Sequence, residues 1–302
     1  MQVLFLGAGA SYGSEPSGRD VPPLGDALFK ELQAFDPHGW GGLPGDLAAL
    51  FADDFERGMT ELSTVYPGSI VDLQRAMAGY FYRFEGPSTD NLYRQLARKM
   101  KARSWRGTVV TLNYERLIEL SMCREGLQPV VTGTSGVANA LELVFPHGCC
   151  HLFCEGGRGI AGQVRMLGMN VQTNGPVVPL CDATAFWSRL RNEAFPPVMS
   201  YFEPAKRTTA GASFIDWQRQ RYAELVRSAE TVAIIGIRVR PADKHIWEPL
   251  SSATGKLVYC GGPSGAAEFE DWRAGNPSRA GDVIIPAYFS DGLPAICAEL
   301  GL

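Results

Sequence analysis

Val3, Leu4, Phe5 and Leu6 form a short unbroken apolar run, and it ends at Gly7-Ala8-Gly9-Ala10-Ser11. A run of this length without alternation fits a strand buried on both faces, as in parallel sheets. Further short apolar runs stand at residues 108–112, 143–145, 231–235, 256–259 and 282–285. Helical stripes lie between them. Leu47, Leu50, Phe51 and Phe55 recur at helical spacing, as do Ile70, Leu73, Met77 and Phe84. So do Leu92, Leu96 and Met100 behind a cap expected at Asp90, and later Tyr222, Leu225, Val226 and Ala229. Strands alternating with helices predict an α/β fold, a Rossmann-like parallel sheet with helices on both faces. The 302 residues suffice for one large domain over 1–302. It is expected to carry a helical segment at about 24–102 and a loop-rich, Gly- and Pro-rich insertion at about 148–204.

Composition excludes several classes. The net charge is -4, so a nucleic-acid backbone is not an expected partner. No apolar run approaches the ~18 residues of a membrane span. Residues 1–7 lack the basic start and cleavage site of a secretory signal. The seven cysteines are odd in number and follow no regular framework. A soluble cytoplasmic protein is expected.

A glycine-rich turn after a strand suits a tight turn, or a ligand phosphate approaching backbone amides. The dehydrogenase fingerprint does not fit. The third glycine, Gly13, comes one position late for it. Ser14-Glu15-Pro16-Ser17-Gly18 and Pro22-Pro23 break the expected crossover helix. No strand ends in an acidic residue about 20 residues on. A long loop over the site is expected instead.

Two further strand ends carry polar residues. Asn113 follows the apolar run in Thr111-Leu112-Asn113-Tyr114-Glu115, and His147 follows the one in Phe145-Pro146-His147-Gly148. Ligands of open parallel sheets bind outside the carboxyl ends of strands. Taken alone, Asn113 equally fits a turn or cap, and His147 a hydrogen-bonded structural histidine. Together with the glycine turn they predict one crevice.

The motifs GAGAS, TLNYE and FPHG, in that order, resemble the SIR2-like, sirtuin-related family, and more narrowly its bacterial NAD-cleaving branch associated with antiphage defence. Val232-Ala233-Ile234-Ile235-Gly236-Ile237-Arg238, followed by Pro241-Ala242-Asp243-Lys244-His245, resembles a later segment of those proteins. The resemblance implies an NAD site. Gly7, Ala8, Gly9, Ala10 and Ser11 would line the pyrophosphate, Gly236, Ile237 and Arg238 the adenosine side, and Gly261 a second wall. Asn113 and His147 match the family's catalytic pair. The sequence departs from the family at Ile237 and Arg238. The resemblance also implies a homo-oligomer or a separate sensor or ATPase partner.

Cleaving the nicotinamide–ribose bond of NAD expels a neutral leaving group through an oxocarbenium-like transition state, so no general acid is needed. Asn113 can hold a ribose hydroxyl or the attacking water. His147, with an ordinary histidine pKa, suits a general base. The expected activity is NAD hydrolysis to nicotinamide and ADP-ribose. The alternatives are a sirtuin-type protein deacylase and a non-catalytic module binding NAD or ADP-ribose. Deacetylases of this class generally carry a four-cysteine zinc module. Here Cys149, Cys150, His151, Cys154 and Cys181 lack paired spacing, so no metal is expected. Residues 195–206, rich in Pro and aromatics, fit a surface connection or a lid. Asp243 and His245 fit contacts to a ligand or a neighbouring subunit, or a helix start after Pro241 with Asp243 in the first turn.

Overall fold

The computed structural model describes residues 1–18, 20–131, 138–156, 173–203, 206–279 and 281–302. Strand β1 (Gln2–Leu6) leads into the short helix α1 (Ala8–Tyr12). Then come α2 (Gly25–Phe35), α3 (Gly45–Asp53), α4 (Phe55–Val65), α5 (Ile70–Tyr82) and α6 (Leu92–Ala102). Next are β2 (Thr108–Thr111), α7 (Leu117–Arg124), β3 (Gln128–Val130), β4 (Ala140–Val144), β5 (Leu152–Cys154), β6 (Val177–Pro179) and α8 (Ala183–Asn192). The chain continues through α9 (Ala212–Ser228), β7 (Thr231–Ile235), α10 (Lys244–Ser251), β8 (Lys256–Cys260), α11 (Pro263–Ala274), β9 (Val283–Ile285) and α12 (Phe289–Glu299).

Seven strands form one parallel sheet in the order β3-β4-β2-β1-β7-β8-β9. The unbroken apolar character of β1 follows from its central place. Leu4 and Leu6 enter a core shared with α2 to α6 and α12, while Val3 and Phe5 enter one shared with α9 to α11. All four side chains are fully buried. The chain leaves β1 toward β2 on one side and leaves β7 toward β8 on the other. The strand order therefore reverses between β1 and β7, and a crevice opens outside their carboxyl ends.

Several expectations need correction. The stripe through Leu47 and Phe55 is two helices, because Asp54 breaks it and caps α4, accepting from the amides of Glu56 and Arg57. The cap of α6 is Asn91, not Asp90; its Oδ1 accepts from Tyr93 N at 2.9 Å. The insertion expected at 148–204 holds an antiparallel β5–β6 pair and α8. Its residues 157–172 lie outside the described residues. The loop after α1 is fastened to the start of α6: Leu92 N donates to Ser14 O at 2.7 Å, and Glu15 accepts from Ser88 and Asn91. Among the described residues no helix is long and apolar enough to cross a membrane.

Candidate active site

Strand register brings the expected residues to one edge. Leu6 lies opposite Thr111 and Ile235, and Ile235 lies opposite Cys260. The next residues, Gly7, Leu112, Gly236 and Gly261, leave the sheet at one level. Val110 lies opposite Val144, and Asn113 and His147 each stand three residues further on. They too emerge side by side.

The glycines answer first to packing. A Cβ on Gly7 would stand 2.5 Å from Ile237 Cγ1, and one on Gly9 3.0 Å from Gly236 Cα. Gly236 has φ of +65°, and its Cβ would lie 2.1 Å from Ala10 N. Gly7 N donates to Ile235 O at 2.9 Å, Gly9 N to Gly236 O at 3.0 Å and Ala10 N to Gly7 O at 3.0 Å. Of the amides of residues 7–10, only that of Ala8 has no partner among the described residues. Ile237 is buried against the loop, and its carbonyl accepts from Tyr259 Oη at 2.6 Å. Arg238 is exposed and paired with Glu268 at 2.7 Å. Gly261 lies against the Tyr259 ring.

Behind the loop lies a buried polar network. Asn113 Nδ2 donates to Gly7 O at 3.1 Å and to Ser11 Oγ at 2.8 Å. Ser11 Oγ donates to Glu115 Oε1 at 2.5 Å and pairs with Tyr93 Oη at 2.9 Å. A hydroxyl has one hydrogen and two lone pairs, so Ser11 is saturated. Ser11, expected at the pyrophosphate, is a strut with its hydroxyl turned inward. Both amide hydrogens of Asn113 are engaged, which leaves its Oδ1 as the atom able to meet a ligand. Burial raises the Glu115 carboxyl, against the pull of Ser11 and the Leu117 amide.

His147 sits on a turn that only glycine allows. Gly148 has φ of +76°, and a Cβ there would lie 1.9 Å from Val198 O. The His147 carbonyl accepts from Ser200 N at 2.8 Å. Residues 198–201 are thus a buried wall rather than a lid or surface connection; Pro204 and Ala205 lie outside the described residues. Tyr114 Oη donates to Ser200 O at 2.7 Å, and Arg219 Nε to Pro146 O at 3.2 Å. His147 Nε2 lies 2.8 Å from His245 Nε2 on α10. Burial, then His245, Lys206 and Arg219, push His147 well below the ordinary histidine value. Its pKa is therefore not the unperturbed one the sequence suggests. Burial, with Arg219 and Lys206, lowers His245 to about 4. No hydrogen bond joins Asn113 to His147 among the described residues.

The cysteines divide. Cys149, Cys150 and His151 have donor atoms within 4.8 Å of one another, as do Glu119, His151 and Cys181. Cys154 stands apart and donates to Thr173 O at 3.7 Å. A four-cysteine zinc set is therefore not assembled among the described residues, and the donor sets that converge mix thiol, imidazole and carboxylate. Within the protein, His151 Nδ1 meets Cys149 Sγ at 3.2 Å and its Nε2 meets Glu119 Oε2 at 3.1 Å.

No family model matches the chain, and no curated protein matches it. Solved structures do. A structure presenting the structural basis for the mechanism and regulation of Sir2 enzymes aligns at a TM-score of 0.50 and 15% identity, covering 99% of this chain and 92% of that one. The fold is Sir2-like. A Sir2 homologue mutant in complex with ADP-ribose aligns at 0.48 and 13% identity, over 99% of this chain and 91% of that one. A structure addressing sirtuin substrate affinity aligns at 0.46 and 15%, over 99% and 93%. Within the Sir2-like frame, the sequence carries no signal for Tyr93 and Glu119, and for His245 it offers a helix start or a ligand or subunit contact, not the meeting with His147. Tyr93 and Glu119 look like ordinary helix residues. The signal for His245 is its place in the segment Pro241-Ala242-Asp243-Lys244-His245 that follows the strand ending at Ile235.

Proposed function

We propose that this chain binds NAD in the crevice between β1 and β7 and hydrolyses its nicotinamide–ribose bond, releasing nicotinamide and ADP-ribose. The observation that carries this reading is the side-by-side emergence of Asn113 and His147 beside the loop of residues 7–11. The pyrophosphate runs along Gly7, Ala8, Gly9 and Ala10, where the Ala8 amide is available. The adenosine side lies over Gly236, Ile237 and Arg238, with Gly261 beyond. Asn113 Oδ1 accepts from a ribose hydroxyl or the attacking water. His147, neutral at pH 7, accepts the proton that the water loses. The leaving nicotinamide is neutral, so these two roles suffice. In a cell such an activity depletes NAD, which suits an antiphage effector held in check by self-association or by a sensor or ATPase partner.

The test is chromatography of purified chain mixed with NAD, alone and in cell extract. Nicotinamide and ADP-ribose in equal amounts, without any acylated peptide, support the reading. A strict requirement for an acyl-lysine peptide moves the chain to the deacylases. Saturable NAD binding with no product in either condition makes it a binding module.

A further inference from the structure

We propose that His245 is a positioning residue for His147: it accepts a hydrogen bond from His147 Nε2–H and so fixes the tautomer whose Nδ1 is free to take a proton. This rests on the reading of His147 as the base. The two Nε2 atoms lie 2.8 Å apart, which is hydrogen-bond distance, so one must donate and the other accept. The reverse arrangement would put the His147 hydrogen on Nδ1 and tie up its only lone pair, leaving no acceptor for a substrate proton. His147 Nδ1 has no hydrogen bond among the described residues.

The surroundings favour positioning over a proton relay. Arg219 on α9 packs beside Pro146 and Ser200, and donates to Lys206 O at 2.9 Å. Lys206 Nζ lies 3.0 Å from Glu56 of α4 and 3.7 Å from Asp243 at the start of α10. Arg240 also meets Glu56, at 2.9 Å. Tyr114 packs its ring 6.5 Å from that of His147. The cations Lys206 and Arg219 oppose a second positive charge on His245. A neutral His245 remains an acceptor throughout turnover, and the proton stays on His147 until product leaves. The backbone anchors at Ser200 and Gly148 fix where the His147 ring starts, while only His245 fixes which nitrogen carries its hydrogen.

The chain has four histidines, so their ring nitrogens can be resolved by 15N NMR. The parent protein is expected to hold His147 as the Nε2–H tautomer from pH 6 to 8. His245→Phe should leave a tautomer mixture and lower kcat by roughly tenfold or more, with KM changed less than about threefold. His245→Gln, whose side-chain carbonyl can accept, should restore the single tautomer and return kcat to within about threefold of the parent. An Nδ1–H tautomer of His147 in the parent overturns the proposal. So does a Phe variant with parental tautomer and kcat, or a Gln variant as impaired as Phe in both. A parent that cleaves no NAD sinks the hydrolase reading instead, and the tautomer spectra still decide the pair.

Discussion

His147 and His151 stand four residues apart on one loop, both buried, at 6% and 0% exposure. Burial pushes both toward the neutral form. His147 meets another histidine and two cations, and is driven further down. His151 meets Glu119 and Cys149, which outweigh burial and raise it to about 10. Similar burial therefore leaves different charge states, because the partner decides. A neutral imidazole at a strand end can accept a proton. A charged one ion-paired with a half-buried carboxylate is a brace.

The largest expected effect separates the two roles. His147→Ala removes a proton acceptor but no buried ion pair, and should lower NAD cleavage by about 10²- to 10⁴-fold with the unfolding midpoint little changed. Asn113→Ala should match it in rate, although it also cuts the tie to Gly7 and Ser11. Parental turnover in both folded variants moves the chemistry away from these strand ends. His151→Leu should do the opposite. Half-buried Glu119 would lose its charged partner and keep only Cys181 and the nearby Arg116, so stability should drop by about 2 kcal/mol in urea unfolding while kcat per folded molecule holds. An unchanged midpoint would mean that the His151–Glu119 pair is no brace.

The comparison also has a signature in pH. The His151 pKa rises on folding from 6.5 to about 10, so its stabilisation is complete below pH 6.5 and is lost as pH climbs toward 10. His147 and His245 are lowered on folding, so their buried neutral forms lose stability as pH falls below 6.5. The two slopes meet, and unfolding free energy should peak near pH 6.5. His151→Leu should flatten the alkaline limb, and His245→Gln should soften the acid limb. A parent curve that rises steadily from pH 6.5 to 9 contradicts the charged state of His151.

What was legible in the sequence follows the physics of burial. Residues 231–235 read as a strand because both faces are covered, and β7 has those bounds. Strand β3 is hidden because it is a short edge strand carrying Pro129, where apolar runs are not required. Helix α8 is masked by the Gly and Pro around it, and its Asp182 cap carries no periodic signal. Asn113 and His147 stand out because a polar residue after an apolar strand is a local pattern. The engagement of Ser11 and the meeting of His147 with His245 are tertiary facts. They join residues 82 and 98 positions apart, and no local spacing encodes them.

The smallest expected effect concerns metal, on the His151 side of the comparison. Cys149 Sγ already donates to the Tyr114 carbonyl at 3.1 Å, and burial raises its thiol well above the ordinary value. A zinc ligand must be a thiolate, so coordination would first have to remove that proton. His151 would have to give up a proton held to about pH 10, its ion pair with Glu119 and its contact with Cys149. Cys154, a third thiol of the sequence cluster, is turned toward Thr173, and Cys181 Sγ donates to Glu119 Oε1 at 3.9 Å. Protein purified without chelator should therefore contain well under one zinc per chain, and EDTA should leave its unfolding midpoint unchanged within about 1 °C. One zinc per chain, with a midpoint that collapses on chelation, would mean that His151 is a neutral ligand. The two histidines of the loop would then share one charge state, and the contrast between them would disappear.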